Sequence, residues 1–122
     1  MRRAFFIATI ALLSSLMTAA TAFAHAFPDH AEPAIGGTVH EAPMAVHIWF
    51  SEKIEPAFSR IEVVDAAGQR VDSGKAIVDM QDPRLLSVAL KKLVPGIYKV
   101  TWHVVSADTH RTAGAFSFTV KP

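Results

Sequence analysis

Cysteine is absent from the 122 residues, and three kinds of chemistry go with it: disulfide bridges, thiolate metal sites and cysteine nucleophiles. An excess of one charge is missing too. With 12 lysines and arginines against 11 aspartates and glutamates, the formal net charge is +1, so nothing calls for nucleic acid or an anionic membrane surface as a partner. Methionine is sparse, at 4 residues, which argues against a thioether-rich site for a soft ion. Beyond residue 24 no segment of about ten residues keeps a 3.6-residue apolar repeat, so no substantial helix is expected there.

What is present begins with a leader. Met1-Arg2-Arg3 is followed by the apolar run Ala4 to Leu13, and small residues lead to Ala22-Phe23-Ala24: a positive head, an apolar stretch and an A-x-A site are the parts of a secretory signal peptide. Ser14, Ser15 and Thr18 interrupt the run short of the ~20 residues a bilayer span needs, which weighs against a membrane anchor. Residues 1–24 are therefore expected to be removed, leaving 25–122, 98 residues, as one exported, soluble, monomeric domain with no transmembrane segment. Losing Arg2 and Arg3 lowers the basic count from 12 to 10 against 11 acids. An exported domain of ~100 residues without disulfides must rest on its core alone.

Along that domain the apolar pattern has period two. Residues 25–33 read as an edge strand or extended arm, Ile35 to Thr38 as a turn. Met44-Ala45-Val46-His47-Ile48-Trp49-Phe50 alternates, with Met44, Val46, Ile48 and Phe50 expected inward. Phe58 to Val64 reads as a strand closed by a hairpin turn, Asp65 to Gln69, into Arg70-Val71. Ala76 to Met80 is a weaker segment. Arg84 to Leu90, Ile97 to Val105 and Thr112 to Val120 follow, with Leu86, Val88, Leu90, Tyr98, Val100, Trp102, Val104, Phe116, Phe118 and Val120 as the core face. About seven short strands at this spacing predict an all-β Greek-key sandwich or barrel of the immunoglobulin-like or cupredoxin-like kind.

The chemistry-bearing residues lie in the last loop and at the new terminus. Asp108-Thr109-His110 places a carboxylate and an imidazole two residues apart, on one side of an extended backbone. Taken alone, such a triplet is adequately explained as a turn aspartate beside a surface histidine. His25, once it is the first residue, adds an α-amine and a ring nitrogen that close a six-membered chelate. Together they form a nitrogen-rich set suited to tetragonal Cu(II).

Pro33, Phe50-Ser51-Glu52, the strand Gly96-Ile97-Tyr98-Lys99-Val100-Thr101-Trp102 and the loop Val105-Ser106-Ala107-Asp108-Thr109-His110, with a terminal His25, together resemble the CopC family of periplasmic copper-binding, copper-resistance proteins. The resemblance spans residues 25–122. It implies one Cu(II) held by the amine and imidazole of His25, the carboxylate of Asp108 and the imidazole of His110. It also implies an acidic neighbour at Glu52, periplasmic localisation, and a CopD-like inner-membrane protein as recipient of the copper. The Met-rich Cu(I) site of some members has no counterpart here, because residues 25–122 hold only Met44 and Met80. His30, five residues from the new terminus, is a candidate extra ligand. His40 is expected in a loop, and His47 and His103 face solvent.

Three functions remain open on the sequence. A copper carrier or buffer without chemistry of its own leads. A copper-brace oxidative enzyme would also use a terminal histidine, but it needs an open coordination position and a substrate face, and Asp108 would fill the plane. A metal-free immunoglobulin-like interaction module is the third.

Overall fold

Alternation of apolar and polar residues builds eight strands from residues 26–122, the part of the chain that the computed structural model describes. The expected leader 1–24, its expected cleavage site and His25 lie outside the described residues. The strands are β1 (Pro28–Glu32), β2 (Thr38–Val39), β3 (Ala45–Phe50), β4 (Arg60–Val64), β5 (Asp72–Val78), β6 (Leu85–Leu90), β7 (Gly96–Val105) and β8 (Arg111–Val120). Among the described residues helical structure amounts to one 3-10 turn, Pro56–Phe58.

Two four-stranded sheets result, in the orders β1-β3-β6-β5 and β2-β8-β7-β4. The steps from β5 to β6 and from β7 to β8 are hairpins within a sheet; every other step crosses to the opposite sheet, the path of a Greek key. The architecture is an immunoglobulin-like β-sandwich. Its core is what the period-two reading predicts. Val46, Ile48 and Phe50 of β3, and Leu86 and Val88 of β6, meet Ile61 and Val63 of β4, Tyr98, Val100, Trp102 and Val104 of β7, and Phe116, Phe118 and Val120 of β8, all buried. Trp102 stands edge-on to Phe50, ring centroids 5.3 Å apart. It lies so close over β8 that a Cβ on Gly114 would come within 2.5 Å of the indole; glycine there makes room for the tryptophan.

Four details depart from the sequence reading. Strand β2, of two residues, pairs parallel to β8 and brings the count to eight. Met44, expected inward, is 85% exposed. Its carbonyl still accepts from the Leu90 N–H at 2.9 Å, but it stands just before β3, which begins at Ala45, and its side chain is left in solvent. The strand expected from Phe58 starts at Arg60, since Pro56 heads the 3-10 turn and leaves Phe58 exposed. The turn Asp65 to Gln69 forms as expected, with Asp65 Oδ1 accepting from the N–H groups of Ala67 and Gln69, both at 2.9 Å. Its return arm makes one bridge, Val64 to Arg70, before the chain leaves for the other sheet. The N–H of Val63 that a returning strand would pair donates instead to Asp72 Oδ2, at 2.8 Å.

Candidate metal centre

The β7–β8 hairpin carries the Asp-x-His triplet at its tip. Val105 and Arg111 form the last paired position, and residues 106–110 close the loop through Ser106 N–H to His110 O (3.0 Å) and Thr109 N–H to Ser106 O (2.8 Å). Thr109 takes a positive φ of 72°, a conformation that costs a β-branched residue free energy and that its flanking hydrogen bonds hold in place.

This fold of the loop turns Asp108 and His110 towards each other. The carboxylate Oδ2 lies 3.0 Å from His110 Nδ1, and Oδ1 accepts the hydroxyl proton of Ser106 and a longer contact from the His110 N–H at 3.4 Å. Ser106 is buried, whereas Asp108 and His110 are open to solvent. The Ser106 hydroxyl first, and the His110 ring second, hold the Asp108 carboxyl down to about 2, against a small opposing effect of burial. Asp108 is therefore anionic throughout the neutral range, and its Oδ2 orients the His110 ring through Nδ1.

Two further segments meet this loop. Residues 51–55 run beside it: Ala107 N–H donates to Lys53 O (2.9 Å), Glu55 N–H to Val105 O (2.8 Å), and Ile54 bridges to Ser106. Glu52 is half-buried on that segment. The N-terminal arm is fixed to the same region. Ala26 is fully buried and its carbonyl accepts from Thr112 Oγ1 at 2.7 Å. Phe27 N–H donates to Ser51 Oγ (3.0 Å), and Ser51 N–H to Phe27 O (2.8 Å). The chain thus enters the domain against the strand that follows His110.

Among the described residues no three His, Asp or Glu side chains stand close enough together to hold a metal ion; Asp108 and His110 are a pair, and His25 lies outside the described residues. His30 sits exposed on β1, stacked on Trp49 with ring centroids 4.4 Å apart. His40 is exposed after β2. His47 lies on the outward side of β3, half-buried, its Nδ1 2.6 Å from Ser87 Oγ. His103 is half-buried on β7, with Nδ1 shielded and without a hydrogen-bond partner among the described residues. Sequence reasoning gave no role to Ser106, Ser51 or Thr112. The first was within sight, two residues before Asp108; the other two act on backbone groups 24 and 86 residues away.

Compared with known proteins, residues 29–121 match the family model described as the CopC domain. The chain is 36% identical over 113 residues to Protein YobA of Escherichia coli (strain K12), covering 92% of this chain and 91% of that protein. It is 34% identical over 112 residues to Copper transport protein CutJ of Bacillus subtilis, covering 91% of this chain but 21% of that longer protein. The crystal structure of CopC from Methylosinus trichosporium OB3b superposes with a TM-score of 0.76 at 34% identity, over 80% of this chain and 95% of the other.

Proposed function

The chain belongs to the CopC family, and from that premise we propose that it is a periplasmic carrier or buffer of copper homeostasis, binding one Cu(II) at the Asp108–His110 rim. In this reading the mature terminus supplies the amine and imidazole of His25, and the loop supplies the carboxylate of Asp108 and the imidazole of His110. The observation that carries it is the anchoring of the arm. Ala26, which follows His25 in the sequence, is buried, and its carbonyl is tied to Thr112, two residues past His110.

The donor chemistry fits the ion. A carboxylate already ionised near neutrality releases no proton when it meets a metal, while each nitrogen must give one up if it holds one. Glu52 adds negative charge beside the cation, and His30 is a reserve imidazole outside the main set. The recipient is a CopD-like inner-membrane protein. Support comes from CutJ, a copper transport protein in which the region similar to this chain is 21% of the whole.

Titration of the mature protein with Cu(II), followed by electron paramagnetic resonance, tests this. One tight tetragonal site per chain and no oxygen consumption with a reductant is expected. Turnover would favour the copper-brace enzyme, and absence of a tight site would leave an interaction module.

A further inference from the structure

The outer face of the β2-β8-β7-β4 sheet holds a second feature that the copper site does not use. A cleft of 460 Å³ lies there, lined by Phe58, Arg60, His103, Val105, Arg111 and Ala113 among others. Strand register explains it. Arg60 of β4 stands opposite His103 of β7, His103 opposite Ala113 of β8, and Val105 opposite Arg111. Their neighbours Ile61 and Val104 fill the core, so these side chains share the outward side. Ala113 is small and leaves a hollow between the two arginines.

The remaining wall is apolar. Phe58 is 68% exposed, yet the segment after the turn that carries it is pinned: Ser59 Oγ donates to Glu55 O at 2.7 Å and accepts from Val105 N–H at 3.1 Å. An exposed phenyl ring thus shares the cleft with two arginines. Among the described residues no acidic side chain lines the cleft. Arg60 is answered on one side, where its Nε is 3.7 Å from Glu62 Oε1, and Glu62 is shared with Arg70 at 3.8 Å. His103 adds an imidazole to the same floor. Two guanidiniums and an imidazole beside an exposed ring match a carboxylate flanked by an apolar group.

Position narrows the occupant. Arg111 directly follows His110, and Val105 directly precedes Ser106, so cleft and copper loop belong to one hairpin. We infer that this cleft docks an acidic segment of the protein that exchanges copper with this chain, seating a carboxylate side chain between Arg60 and Arg111 and an adjoining apolar side chain against Phe58. The occupant as copper-exchange partner rests on the copper-carrier reading; the affinity for carboxylate does not.

The test uses copper-free, ¹⁵N-labelled mature protein titrated with N-acetyl-leucyl-glutamyl amide, its glutaminyl counterpart and sodium acetate. Saturable amide shifts around residues 58–60, 103 and 111 are expected with the glutamyl peptide, in the millimolar range, and to weaken with added salt. Arg60→Gln and Arg111→Gln should each weaken binding about two- to fivefold, and the double variant should abolish saturation while melting at the wild-type temperature. Equal binding of the glutaminyl peptide, or shifts elsewhere on the molecule, would overturn the proposal. Acetate binding as tightly as the peptide would make the cleft a site for free carboxylates and overturn the docking role. Cu(II) affinity measured on the same samples separates the two readings. A protein that binds the peptide but no copper would sink the carrier reading, and the assignment of the occupant with it.

Discussion

Two aspartates in this domain are built alike and stand in opposite surroundings. Asp72 at the start of β5 and Asp108 in the β7–β8 loop each pair with a cationic or basic side chain two residues away, and both carboxyls are held below their ordinary value. Asp72 takes four donors: Arg70 Nε at 2.8 Å and Nη2 at 2.7 Å, and the N–H groups of Val63 at 2.8 Å and Gly74 at 2.7 Å. Its side chain is 0% exposed, against 40% for Asp108. Burial works to raise the Asp72 carboxyl, and the Arg70 guanidinium with the two backbone donors outweighs it. The difference lies in saturation and in the partner. A guanidinium cannot give up its proton to make way for a metal, whereas an imidazole can. The saturated carboxylate stitches β4 to the start of β5 in the opposite sheet; the unsaturated one faces solvent at the rim.

Substitutions should keep these two roles apart. The largest effect is expected at the rim: His110→Ala should weaken Cu(II) binding by about 100-fold or more, beyond the 10- to 100-fold typical of an outer hydrogen-bonding partner, with little change in melting. His47→Ala and His103→Ala should leave copper affinity nearly unchanged. Equal losses in all three, in a chelator competition, would erase the distinction. Asp72→Ala should do the reverse. It leaves the Val63 N–H unpaired in the interior and Arg70, already half-exposed, free to find water, so a loss of about 2–3 kcal/mol in urea unfolding is expected, with the copper affinity of the folded fraction intact.

Ser106→Ala should fall between the two, reducing copper affinity roughly tenfold by removing the hydroxyl that orients Asp108. The carboxyl should then titrate higher than about 2, visible as a shifted Asp108 side-chain resonance. An unmoved titration would show that the hydroxyl does not hold the carboxylate. The pH dependence is the smallest effect to resolve. Both aspartates are depressed in the folded state, so the stability each contributes is fully present above the unfolded value of 3.8 and is lost as pH falls through the lower folded value. Between pH 5 and 8 neither changes charge, so the fall of copper affinity across that range should come from imidazole and amine protonation alone, with more than one proton displaced per copper. Competition titrations at several pH values check the slope.

How far the sequence could be read follows the range of the interactions. Strands β3, β6, β7 and β8 were legible because each buries alternate residues over six positions or more. Strand β2, with two residues, is too short to show a period. The departure of β5 to the other sheet hinges on Asp72, a lone carboxylate in a polar run whose burial depends on backbone donors from β4 and on Arg70. The Asp108–His110 pair was legible because its members are two residues apart. The anchoring of Ala26 by Thr112, across 86 residues, was not, since only the fold brings them together.

The central claim is that a free terminus beside the loop completes the copper site. In a peptide the nitrogen of His25 is an amide whose lone pair is delocalised into the carbonyl, so it becomes a good ligand only when cleavage makes it an amine. The direct measurement compares mature protein beginning at His25 with the same protein carrying one extra glycine before it, by thermal unfolding and by competition for Cu(II) against a chelator. Equal melting temperatures with a copper affinity lowered by orders of magnitude in the extended protein are the predicted result. Equal affinities would contradict the account and require a site built without the amine.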